Sequence, residues 1–139
     1  MTRSGYSDDE PGSNLYRVAV DCAIHGKRGQ SFLRELADEM DAMPEKVLIS
    51  DELIDSVGDC CTIGVVCKAR GLDLSTFDPD EPDQVGDAVG IARSMAAEIE
   101  YENDEGYWVK TSDGRWSWWE TPEQRWTRMR AWVERNIAK

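Results

Sequence analysis

The chain has 139 residues, of which 40% are hydrophobic and 32% charged, apolar material for one modest core. No apolar run approaches the ~18 residues of a membrane span, and the polar stretch 1–13 lacks the apolar centre of a secretory signal. Sixteen basic residues against 28 acidic leave a net charge of −12, which argues against non-specific binding to nucleic acid or to an anionic membrane.

Residues 1–13 carry Gly5, Pro11, Gly12 and the acids Asp8, Asp9 and Glu10, and are expected to form a disordered tail, with residues 14–139 as a single helical domain. Asn14 reads as an N-cap. Leu15, Val18, Ala19, Cys22 and Ala23 follow at helical spacing and predict an amphipathic helix with Gly26 as its stop. A second helix is expected over 30–42, with Phe32, Leu33, Leu36 and Met40 inward, Arg34, Glu35, Asp38, Glu39 and Asp41 outward, and Pro44 ending it. Residues 46–50 fit either a brief extended segment or a helical turn. A third helix is expected over 60–70, with Ile63, Val66 and Cys67 inward and Gly71 as terminator.

The loop Asp78-Pro79-Asp80-Glu81-Pro82 leads to a short helix over 83–89 whose acidic start complements the helix dipole, and Gly90 breaks it. A fifth helix over 91–102 carries Ile91, Ala92, Met95, Ala96 and Ile99 on one face. The texture then changes: Tyr107-Trp108-Val109-Lys110 and Arg115-Trp116-Ser117-Trp118-Trp119 flank an Asp113-Gly114 turn, which signals a β-hairpin. Thr121-Pro122-Glu123-Gln124 offers an N-cap, a proline at the first helical position and a glutamine at the third, and starts a last helix. That helix carries Trp126, Met129, Val133 and Ile137 on one face. The expected fold is mainly α, a compact bundle of about five to six helices with a small C-terminal β-hairpin before the last.

Charge is concentrated. Residues 35–105 hold twenty acidic and four basic residues, a local net of −16, against +1 for 1–34 and +3 for 106–139. One reading is a solvated surface that keeps the protein soluble. The other is an acidic face that meets an electropositive partner and imitates a phosphate array. A recognition helix for DNA would be basic, so direct nucleic-acid binding is rejected for the acid-rich 71–90 region.

The four cysteines, Cys22, Cys60, Cys61 and Cys67, form no C-x-x-C pair, and with His25 they match no dependable zinc spacing. They are expected as free thiols acting as small core residues, with at least one of the adjacent Cys60 and Cys61 only partly buried. No cofactor and no metal ligand set is assigned.

Three constellations remain. His25-Gly26-Lys27-Arg28-Gly29-Gln30 resembles an anion-binding turn but lacks P-loop spacing, and reads first as an interhelical turn whose cations pair with neighbouring carboxylates. Glu98, Glu102, Asn103, Asp104 and Glu105 crowd a helix C-terminus, where carboxylates oppose the dipole. Lys27 and Arg28, or Arg125 and Arg128, are candidates to compensate them. A magnesium or calcium site built on the same oxygens is the alternative. Lastly, all six tryptophans fall between Trp108 and Trp132, and Trp116, Trp118 and Trp119 of the hairpin are read either as a satellite core or as an exposed binding anchor. One histidine and no nucleophile elbow give catalysis little support.

Taken together, Gly26-Lys27-Arg28-Gly29-Gln30-x-Phe32-Leu33, Met43-Pro44-Glu45-Lys46, Ala69-Arg70-Gly71-Leu72-Asp73, Tyr101-Glu102-Asn103-Asp104-Glu105 and Thr121-Pro122-Glu123-x-Arg125-Trp126 resemble a family of small uncharacterised proteins encoded by tailed bacteriophages and prophages. The resemblance spans roughly residues 16–137. It implies a bacterial cytoplasmic setting and an accessory role, and supplies no activity. The hairpin is longer than the family pattern, so its tryptophans lie outside what the resemblance implies.

The function expected is non-enzymatic: binding of a host or phage protein, inhibition of a defence or nucleic-acid-handling complex being its most concrete form. Asp78, Asp80, Glu81 and Asp83 would steer the partner, and Trp116, Trp118 and Trp119 would anchor it. The alternatives are a metal- or anion-binding small enzyme centred on residues 98–105 with Lys27 and Arg28 facing them, and a virion or assembly component.

Overall fold

The computed structural model describes residues 13–78, 81–105, 109–110, 112–117 and 120–138. It is mainly helical: α1 (Ser13–His25), α2 (Lys27–Ala42), α3 (Thr62–Ala69), a 3-10 turn (Leu74–Thr76), α4 (Pro82–Val89), α5 (Arg93–Glu105) and α6 (Pro122–Asn136). The expected disordered tail lies, apart from Ser13, outside the described residues.

Gly26 alone joins α1 to α2. Its backbone is extended (φ −73°, ψ 170°), so it is the N-cap of α2 rather than the stop expected after α1. The second helix therefore begins at Lys27, and Lys27 and Arg28 occupy its first turn instead of a loop. Gly29 is where the two helices touch: a Cβ there would overlap the Ala23 carbonyl oxygen and lie 2.8 Å from that of Ile24. Gln30, buried, donates to the Ile24 and Asn136 carbonyls at 2.8 and 2.9 Å and accepts from the Ala138 N–H at 2.7 Å, tying the ends of α1 and α6 to α2. The glycine-flanked basic motif is thus a helix junction.

The inward face of α1 differs from the expected one. Val20 and Ile24 are buried, with Tyr16 and Ala23 packed beside them, while Leu15 and Val18 are 78% and 60% exposed and Ala19 and Cys22 face solvent. Both stripes have helical spacing. What selects between them is α5: the Tyr16 hydroxyl donates to the Ser94 carbonyl and Arg17 reaches Glu98, which sets the rotation of α1.

Residues 46–50 are extended. Leu48 N–H donates to the Pro122 carbonyl at 3.1 Å and Ile49 N–H to that of Cys60 at 3.0 Å. Cys60 and Cys61 lie in extended backbone just before α3, where successive side chains point opposite ways. Both are buried, contrary to the helical expectation, because core lies on either side of the segment. Burial raises the Cys60 thiol to about 11 and that of Cys67 to about 12. Cys22 is exposed, so only three of the four thiols act as core residues.

Gly90 ends α4 in the left-handed conformation (φ 81°). Thr121 caps α6 in a complete capping box with Gln124, as its sequence predicts. Between α5 and α6, β1 (Val109–Lys110) and β2 (Trp116–Ser117) pair antiparallel over two residues each. A hairpin of the expected extent is not seen; residues 106–108, 111, 118 and 119 lie outside the described residues. The core is assembled from α2, α3, α5 and α6 around Leu36, Met40, Ile63, Met95, Ile99 and Met129, all fully buried. No described helix is long and apolar enough to cross a membrane.

Candidate functional site

The acidic residues divide into two populations with different surroundings. The first is on α5. Glu98 and Glu100 are buried although charged by type, Asn103 is buried, and Glu102 and Asp104 are half-buried. The Glu105 side chain lies outside the described residues. A buried carboxylate is costly unless paired, and here arginines arrive from other helices.

Arg17 of α1 meets Glu98 Oε1 at 2.7 Å. Arg128 of α6 donates through Nη1 to the Glu102 carbonyl at 2.6 Å and through Nη2 to the Asn103 carbonyl at 3.1 Å. Arg125 reaches the Asn103 carbonyl at 3.2 Å and that of Leu48 at 3.3 Å. Both arginines are held in turn by Glu120, which is buried and receives Arg128 at both carboxylate oxygens, 2.8 and 3.1 Å. Two guanidinium groups therefore neutralise the negative end of the α5 dipole and stop its orphan carbonyls.

Arg17 pairs with Glu98, and Arg125 and Arg128, rather than Lys27 and Arg28, meet the carbonyl end of α5. Among the described residues Lys27 and Arg28 form no ion pair; they border a separate depression with Arg70 and Val89. The grouping of Lys27 and Arg28 with Glu98, Glu102, Asn103 and Asp104 is corrected accordingly. The physical reason is helical register: once α2 starts at Lys27, its first turn points toward the α3 and α4 ends.

Asn103 is fully engaged. Its Oδ1 accepts from Thr62 N–H at 3.0 Å and Thr62 Oγ1 at 2.7 Å, and its Nδ2 donates to the Ile49 carbonyl at 2.9 Å and to Asp104 Oδ1 at 2.8 Å. One amide thus fastens the start of α3 and the extended segment to the end of α5. Asp104 Oδ1 also accepts from Asp51 N–H at 3.1 Å, where Asp51 holds a positive φ of 67°.

Glu102 lies one turn beyond Glu98, and the Glu98 carboxyl neighbours its own. Burial pushes its pKa up to about 7, the Glu98 charge adds to the rise, and Arg128 and Arg17 oppose it. Glu102 therefore keeps its proton to a higher pH than an exposed glutamate does. Glu98 Oε2 is buried without a hydrogen-bond donor among the described residues. Among the described residues no three histidine, cysteine or acidic side chains converge on a cation position.

The second population faces water. Asp73, Asp78, Glu81, Asp83 and Asp87 are exposed on α4 and on the chain leading to it. Asp83 meets Arg93 at 3.1 Å, a pair more than half exposed on both sides and so weak. Asp73 caps the 3-10 turn by accepting from Ser75 N–H and Oγ, which holds its carboxyl below the usual range. Asp80, Trp118 and Trp119 lie outside the described residues, and of Trp116 only the strand backbone is described. Sequence reasoning missed Arg17, Asp51, Thr62 and Glu120. Glu120 had a signal, an acid directly before a capping box with two arginines one and two turns on. Arg17 and Thr62 had none.

Comparison of the chain with protein-family models, with curated proteins and with solved structures finds no match.

Proposed function

We propose that this protein works by binding a partner of positive surface charge, not by catalysis. In the setting implied by its phage-like motifs, that partner is a host or phage protein, and inhibition of a defence or nucleic-acid-handling complex is the most concrete form. One observation carries the reading: the acids split by role. Glu98 and Glu120 are turned in, Glu98 paired with Arg17 and Glu120 with Arg125 and Arg128. Those at Asp78, Glu81, Asp83 and Asp87 are exposed on α4 and on the chain leading to it, and Gly90 ends that helix in the left-handed conformation. Outward carboxylates on a fixed scaffold raise the encounter rate with a cationic surface and repel nucleic acid.

The test is affinity capture from bacterial lysate, followed by binding measurements with the identified partner. A stoichiometric partner is expected whose association slows steeply with added salt. Replacing Asp78, Asp80, Glu81 and Asp83 by their amides should slow association about tenfold or more at low ionic strength. Capture that ignores both salt and the four substitutions would defeat the proposal. A melting midpoint raised by millimolar magnesium, manganese or calcium would instead favour a cation-dependent role for residues 98–105.

A further inference from the structure

A groove of about 390 Å³ opens where the end of α2, the 43–47 segment, the 58–60 turn and α3 meet. Met43, Val47, Cys60 and Val65 give it an apolar floor. Glu39, Glu45 and Asp59 stand around it. Among the described residues lining it, the one cation is Lys68, whose Nζ is directed at the Gly58 carbonyl, 3.0 Å away. Lys46, next in sequence to the rim, is turned elsewhere: its Nζ donates to the Asp41 and Met43 carbonyls and lies 5.6 Å from the centre of the Trp126 ring. Val57, one residue before the lining Gly58, is 79% exposed.

An apolar hollow ringed by three carboxylates and one tethered ammonium selects by sign as well as by shape. It disfavours phosphate, nucleic acid and a second copy of this acidic chain. Its volume is at the lower end of the ~300–1,000 Å³ of ligand pockets, which suits one or two side chains of a peptide. We propose that the groove seats an apolar side chain of a partner segment whose flanking lysines or arginines meet Glu39, Glu45 and Asp59. The inference rests on the electropositive-partner reading and gives that interaction the apolar anchor expected earlier of the hairpin tryptophans. Hydrophobic burial in the floor would hold the segment, and the rim charges would set which segments are accepted.

The probe is a panel of fluorescein-labelled nonapeptides with a central Leu, Phe, Met or Val flanked by arginines, together with glutamate-flanked and central-Ser counterparts, read by polarisation. At least one arginine-flanked apolar peptide should bind at micromolar concentration, its Ser counterpart about tenfold or more weakly, and the glutamate-flanked peptides not at all. Ala69→Trp, at an exposed groove position, should block binding with the melting midpoint unchanged. Glu45→Lys, also at an exposed position, should weaken the arginine-flanked peptides and provides a second variant if the first misfolds. Ser and Leu peptides that bind alike, or no binding at millimolar concentration, would overturn the inference. So would a dimer in sedimentation that Ala69→Trp dissolves, since the occupant would then be a second copy. Partner capture that survives Ala69→Trp yet is lost with the charges at residues 78–83 would remove the groove and leave the broader reading standing. Capture indifferent to both would remove that reading itself.

Discussion

Glu102 keeps a proton at a pH where an exposed glutamate has lost it, and this has a thermodynamic consequence. Its pKa in the fold is about 7, against 4.5 when exposed. Between those values the folded state binds more protons than the unfolded one, so stability falls as pH rises from about 4.5 to about 7 and beyond it levels off. Because the carboxyl is only partly buried, the loss is smaller than the full shift implies, about 1–2 kcal/mol. Glu102→Gln replaces the titrating carboxyl beside Glu98 with a neutral amide. It should raise the melting midpoint at pH 8 by about 3–6 °C and flatten the profile between pH 5 and 8. A variant that keeps the wild-type slope would show that another group titrates there. Glu35 and Asp41 act in the opposite direction. Held below their usual range first by hydrogen bonds from Arg70 and Arg130, they contribute stability that is lost only in acid, as pH falls through their lowered values.

Helix ends and helix faces differ in how far they can be read from the chain alone. The start of α6 is legible because everything that makes it, Thr121, Pro122 and Gln124, lies within four consecutive residues. The inward face of α2 is legible because its apolar stripe has a charged one opposite. The face of α1 is not, because two apolar stripes compete and the choice is made by partners about 80 residues away, Ser94 and Glu98. The buried polar residues of α5 are hidden for a related reason: periodicity counts apolar residues, and Glu98 and Asn103 find their partners only when Arg17, Arg125, Arg128 and Thr62 arrive from elsewhere. Gly29 reads as a turn glycine in sequence, whereas its use is the close approach of α1 and α2. Gly29→Ala should therefore cost about 2–3 kcal/mol, seen as a lower urea midpoint with unchanged slope, although alanine is the better helix former. An unchanged or higher midpoint would mean that the helices do not cross so closely.

For the whole molecule, the net charge of −12 is carried chiefly by surface acids, while the cations are largely engaged with acids or carbonyls. Repulsion among the outward carboxylates acts through water and is screened over a Debye length of about 10 Å at 0.1 M salt. The Arg128–Glu120 pair is sheltered, both side chains being less than a fifth exposed, and is screened far less. Added salt should then relieve the repulsion more than it loosens the joints. Raising sodium chloride from about 20 to about 300 mM should lift the melting midpoint by a few degrees, and the amide variant at residues 78, 80, 81 and 83 should start higher and gain less. A midpoint that falls with salt would mean that exposed pairs such as Asp41–Arg130 and Glu35–Arg70 outweigh the repulsion. The outward acids would then be balanced locally, with little field left to steer a partner. A rise that the amide variant abolishes would locate the unbalanced charge on the approach to α4, where a cationic surface would first be drawn.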